Sequence, residues 1–148
     1  MTYHIKPFTE MDRSWIVSIA AKKMLKDEVK RPDFFNAQRI NLIFNRVLED
    51  GTGLMCWRDG KRVGAVAGFL VDHLLCPDRK TLMEVIWYLD KDERNSRAGL
   101  LMLKGYTQLA NEKADEAVFT TLPDTPVRDE SLARYGWHLT EKQYTLRK

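Results

Sequence analysis

Apolar residues recur along this chain at two different periods, and the switches between them lay out the elements. Residues 3–8 (YHIKPF) alternate weakly and run into a proline, which predicts a short strand. Thr9 then offers a cap with Asp12 three residues on, and Trp15, Ile16, Ile19, Ala20, Met24 and Leu25 repeat at helical spacing over 12–26. Pro32-Asp33 breaks that pattern. A second helical stripe over 34–49 carries Phe34, Phe35, Ala37, Ile40, Leu42, Ile43, Phe44, Val47 and Leu48, and stops at Asp50-Gly51. Residues 53–57 and 63–71 predict two strands joined through Asp59-Gly60, a tight-hairpin signal. The second of them, VGAVAGFLV, is apolar nearly throughout and so predicts burial on both faces. Residues 76–79 read as a turn, 82–89 (LMEVIWYL) as a strand and 98–113 as a helix. After these come a strand over 117–122, a short helix over 128–135 stopped by Gly136, and one or two final strands over 137–146. Hairpins surround a single β-α-β unit, so the expected architecture is a mixed sheet in one α/β domain spanning 1–148.

Composition narrows the class without naming a chemistry. With 44% hydrophobic and 30% charged residues, the 148-residue chain reads as soluble and globular. No apolar run approaches the ~18 residues of a membrane span. Residues 1–6 (MTYHIK) lack the apolar stretch of a signal peptide, which predicts a cytoplasmic protein with no membrane partner. Cys56 and Cys76 stand singly, as suits a reducing compartment. A net charge of +3, spread along the chain, tolerates an anionic ligand but argues against nucleic acid as a partner. His4, His73 and His138 have no metal-ligand spacing, so no metal is expected.

The chemistry concentrates between the strand 82–89 and the helix 98–113. A helix N-terminus leaves backbone N–H groups without partners and carries partial positive charge, and the two together attract phosphate. Arg94 and Arg97 add charge-assisted donors, while Ala98 and Gly99 put almost no side chain in a ligand's way. These are the ingredients of an anion cradle, although ordinary strand-to-helix turns contain the same residue types.

The order of elements and this loop together resemble the GNAT family, the GCN5-related N-acetyltransferases. That family carries a Gln/Arg-x-x-Gly-x-Gly/Ala signature at the turn from its fourth strand into its third helix. Arg94-Asn95-Ser96-Arg97-Ala98-Gly99 stands at that turn here, with Arg94 at the first position, Gly99 at the last and Arg97 in place of the first glycine. The family's late short helix followed by Gly-Phe is similar to Leu132-Ala133-Arg134-Tyr135-Gly136-Trp137, and its opening to Ile5-Lys6-Pro7 followed by Asp12. In size the chain also resembles small divergent members encoded by bacteriophages. The resemblance implies a GNAT-like fold, with a central mixed sheet of six or seven strands flanked by about four helices. It implies acetyl-CoA in a splay between strands 82–89 and 117–122, with the pantetheine arm against the backbone of Tyr88, Leu89 and Asp90. The pyrophosphate would lie on the amides of Asn95, Ser96, Arg97, Ala98, Gly99 and Leu100. The acceptor, a primary amine on a small molecule or protein, would sit between the first two helices, lined by Phe34, Phe35 and Arg39. A homodimer through the C-terminal strands also follows from the resemblance.

Attack on a thioester requires a neutral amine, which a general base supplies directly or through water. Glu84 is the candidate base, because a carboxyl among Leu, Met, Val, Ile and Trp is desolvated and its pKa rises. Strand alternation places Leu82, Glu84, Ile86 and Tyr88 on one face. Pairing with Lys80 or Arg79 is the structural alternative for Glu84. Many family members protonate the leaving thiolate with a tyrosine four residues before the late glycine, but that position here is Leu132. Tyr135 is the nearest substitute and Tyr144 another. Two functions follow from the resemblance: an acetyl-CoA-dependent N-acetyltransferase, or a non-catalytic protein of the same fold that binds or builds, for example within a viral particle.

Overall fold

A computed structural model of the chain describes residues 2–121 and 127–148. Five strands form one sheet in the order β1-β2-β3-β4-β5: Tyr3–Pro7, Gly53–Arg58, Lys61–His73, Cys76–Leu89 and Glu116–Val118. The first four are antiparallel neighbours, and β5 alone joins in parallel, after the helix crossover. The sheet is therefore mixed, as expected, with five strands among the described residues in place of six or seven. Helix α1 spans 13–28, α2 Ala37–Asp50, α3 Ala98–Lys113 and α4 Asp129–Arg134.

Strand β3 is central, which explains its unbroken apolar run: Val63 through Gly68 are all buried. One face of the sheet packs on α3 around Leu54, Leu82, Trp87, Met102 and Tyr106, and the other on α1 and α2 around Met55, Ala67, Ile86, Phe44 and Val47. The β2–β3 hairpin turns through Asp59 and Gly60, both at positive φ (49° and 81°), as the Asp-Gly pair predicts. Helix α2 is capped by Asn36, whose side chain accepts from the Arg39 amide at 2.9 Å, and ends at Gly51 in the left-handed region.

Four expectations fail for identifiable reasons. Helix α1 contains two π-helical stretches, Ile16–Ala20 and Met24–Glu28, so its buried face leaves the 3.6-residue period. Ile19 is exposed as a result, while Val17 and Ala21 are buried. Residues 76–79 belong to β4, and the turn is made by Leu74 and Leu75 at the tip of a hairpin longer than the apolar pattern shows. Pairing of β3 with β4 shifts after Ala67, which opposes Ile86, so that Gly68 opposes Glu84 and Val85 is bulged out. Alternation therefore breaks there: Leu82 packs under α3, whereas Ile86 and Tyr88 pack under α1 and α2. Finally, residues 138–148 form no strand and lie exposed. With β5 only three residues long, they find no ladder to extend among the described residues. Trp137 instead anchors this end, stacked on Tyr106 (6.1 Å) with its indole N–H donating to Thr107 Oγ1 at 2.9 Å. Among the described residues no helix is long and apolar enough to cross a membrane.

Candidate active site

The two strands flanking α3 part company. Among the described residues β4 and β5 pair only from Thr81–Met83 to Glu116–Val118, and beyond Met83 that edge of β4 has no strand neighbour as far as Leu89. The Asp90 amide donates to the Val63 carbonyl at 2.8 Å, continuing the ladder with β3. Antiparallel pairs alternate in direction, so Tyr88 also turns its backbone toward β3, and Trp87 and Leu89 face the open edge. The Asp90 amide expected to meet a ligand arm is thus taken by β3, and the backbone groups left on the open edge are those of Trp87 and the Leu89 amide. The Tyr88 hydroxyl donates to Asp90 Oδ1 at 2.7 Å.

The open edge leads into the loop that precedes α3, and that loop is pinned from several sides. Glu93 is buried, paired with Arg58 (2.5 Å) and accepting from the Tyr3 hydroxyl (2.7 Å). Arg94 donates through Nε to the Leu89 carbonyl (3.0 Å) and through a terminal nitrogen to Glu28 Oε1 (2.6 Å). Two of its three guanidinium nitrogens thus hold the loop to Leu89 and to α1, where the expected role was donation to a ligand. Ser96 Oγ donates to the Glu93 carbonyl and accepts from the Ala98 amide (3.2 Å), which removes Ala98 from the set of free donors. The amides of Asn95, Arg97, Gly99 and Leu100 have no acceptor among the described residues. Arg97 is exposed, and Ala98 is fully buried. A Cβ built on Gly99 would meet only Leu89, at an ordinary 3.8 Å, so the fold itself does not require glycine there. The result is a pinned loop with unpaired amides at the positive end of a sixteen-residue helix.

Glu84 lies at the bulge, on the open edge. Lys80 and Arg79 pair with Asp72 and Asp115, so neither neutralises Glu84. Burial, reinforced by the negative charge of Glu28, pushes its carboxyl up to about 8. Opposite it, the absent side chain of Gly68 makes room for the Tyr106 hydroxyl, which a Cβ there would meet at 2.7 Å. That hydroxyl is fully buried and has no hydrogen-bond partner among the described residues. Burial and the Glu84 charge both hold it well above the usual phenol range. A buried unpaired hydroxyl costs about 1–3 kcal/mol, so Tyr106→Phe is expected to hold or raise stability by about 1 kcal/mol in urea unfolding. A loss of more than that would show that the hydroxyl has a partner in solution.

Sequence pattern does not single out Tyr3, Arg58, Glu28, Glu93 or Tyr106. The first four pair with residues as far as 90 positions away, Tyr106 is brought to Gly68 by the fold, and no local signal marks any of them. Tyr135 closes α4 and packs against the α3-side core, while Tyr144 is exposed. Phe34 and Arg39 line a cavity of about 240 Å³ between α1, α2 and the sheet, which reaches Val85 and Ile86 at the bulge. Phe35 is not part of its lining and lies under the Lys22 ammonium (5.0 Å).

No family model and no curated protein sequence matches the chain. Solved structures do. A predicted acetyltransferase from Clostridium acetobutylicum, solved with acetyl-CoA, superposes with a TM-score of 0.77 at 16% identity, covering 99% of this chain and 96% of that one. AAC(6')-Iy, in complex with the bisubstrate analog CoA-S-monomethyl-acetylneamine, gives 0.71 at 12% identity over 100% and 99% of the two chains. A GNAT family acetyltransferase from Staphylococcus aureus gives 0.66 at 10% identity, with both chains covered in full. The fold of this chain is that of the GNAT acetyltransferases.

Proposed function

We propose that the protein is an N-acetyltransferase that moves an acetyl group from acetyl-CoA to a primary amine. The observation that carries this reading is the open β4 edge running into a pinned loop with free amides at Asn95, Arg97, Gly99 and Leu100. Solved structures of the same fold hold acetyl-CoA or a CoA-based analog, which supports the same ligand here. The cradle fits the group: four of its amides have no acceptor among the described residues, and Gly99 leaves space that a larger side chain would fill.

Bound acetyl-CoA would supply a thioester, whose carbonyl carbon bonds the acceptor nitrogen as the C–S bond breaks. In this reading the Trp87 backbone and the Leu89 amide hold the pantetheine arm, and the free amides hold the pyrophosphate. Glu84, uncharged at neutral pH and ionised above about 8, takes the proton of the acceptor ammonium. Tyr135 is the tyrosine nearest in sequence to Leu132, the position where the family carries its proton donor, although its ring packs into the core. That packing, with Leu132 where the family carries tyrosine, favours a second reading in which the chain binds the cofactor without turnover.

Calorimetric titration with acetyl-CoA tests the proposal, with pantetheine as the comparison. Micromolar binding that weakens about a hundredfold or more without the pyrophosphate is the expected result. Equal affinity for the two, or no binding at millimolar acetyl-CoA, would overturn it.

A further inference from the structure

The cavity beside β4 says what kind of amine the site accepts, an inference that rests on the reading above. Its walls are hydrocarbon: Ile16, Met24 and Leu25 from α1, Ile43 and Phe44 from α2, and Val85 at the bulge are among them. Among the described residues no carboxylate lines it, so an acceptor bearing several ammonium groups would find no counter-charge there for those that do not react. Among the described residues two polar side chains reach its lining, both from the start of α2. The Asn36 oxygen is occupied as the helix cap. The Arg39 guanidinium is exposed, makes no ion pair or hydrogen bond among the described residues, and stands in the first turn of a fourteen-residue helix. The helix end and the guanidinium favour the same sign of ligand charge.

We infer that the acceptor is an amphiphilic primary amine, with an apolar body in the cavity, its amine toward Val85 and the open β4 edge, and an anionic group on Arg39. The contrast with polycationic acceptors is direct. The same cavity that shelters a hydrocarbon chain excludes water from additional ammonium groups and offers them no partner.

The test uses the full chain and three probes: 8-aminooctanoate, octylamine and spermidine, titrated first without acetyl-CoA and then assayed with it. 8-Aminooctanoate is expected to bind about tenfold or more tightly than octylamine, the usual weight of a charge-assisted pair. Arg39→Ala should erase that ratio and Arg39→Lys should restore part of it. Arg39 is exposed, so both variants should fold as the parent does. Spermidine should bind at least about tenfold more weakly than 8-aminooctanoate. Equal or tighter binding of spermidine, equal affinity of the first two probes, no binding of either, or a ratio unmoved by Arg39→Ala would overturn the inference. The donor-free titration separates the two proposals. Arg39-dependent binding without any acetyl-CoA binding would leave this pocket standing and remove the acetyltransferase reading, whereas transfer to spermidine alone would do the reverse.

Discussion

Gly99→Leu is expected to weaken acetyl-CoA binding by about a hundredfold or more while leaving the protein folded. The steric argument has two halves. Inside the protein, a Cβ at Gly99 meets only Leu89 at 3.8 Å, and the position lies in the first turn of α3, where leucine is a better helix former than glycine by up to about 1 kcal/mol. Thermal stability should therefore match or exceed the parent's. On the ligand side, the Gly99 and Leu100 amides reach a pyrophosphate only if the backbone can approach it closely, and an isobutyl group fills that approach. The measurements are calorimetry for affinity and a melting curve for the fold. A Gly99→Leu protein that melts like the parent and binds acetyl-CoA equally well would mean that the pyrophosphate does not lie on this turn.

Glu84→Gln has the second large effect, and pH reveals it. Burial first, then the Glu28 charge, raises the Glu84 carboxyl to about 8 from an ordinary value of 4.5. A base with that pKa is mostly protonated at neutral pH, so the rate of transfer should climb through about pH 8. The amide that replaces the carboxylate cannot take the proton. The variant should lose about a hundredfold or more in kcat, together with this limb of the profile. An unchanged limb would assign the ionisation to another group.

Stability carries the same signature with its sign fixed. Between pH 4.5 and about 8 the folded protein keeps a proton on Glu84 that the unfolded chain has released. Stability therefore falls as pH rises across that window, by an amount on the order of a few kcal/mol. A glutamine amide does not titrate there, so the Glu84→Gln variant should gain on the parent as pH is raised across the same window in urea unfolding. Parallel pH dependences in the two proteins would show that Glu84 ionises in the fold as it does in water.

The order of elements as far as the short helix after β5, the bounds of α3 and the Asp59-Gly60 hairpin were all legible in the sequence, because each rests on contacts between residues a few positions apart. So was the passage from strand through polar loop to helix at 89–99, with Gly99 at its small-residue end. What α1 buries was not legible, since two π turns displace its face, nor was the side of the sheet on which Ile86 and Tyr88 fall, since a bulge at Val85 reverses it. The apolar pattern over 137–146 suits a strand, but a strand needs a neighbour, and only the assembled sheet decides whether one is there. The same holds for the charges. Arg94 is visible as a cation in a candidate phosphate loop, yet its guanidinium lies on Glu28, 66 residues earlier in the chain. Glu84 is visible as a lone carboxyl in an apolar strand, but how far its pKa rises depends on which groups the fold brings beside it. By itself the sequence determined the local elements and the residues able to do chemistry; the tertiary structure decided which of them face one another, because partner, burial and strand neighbour are set by segments distant along the chain.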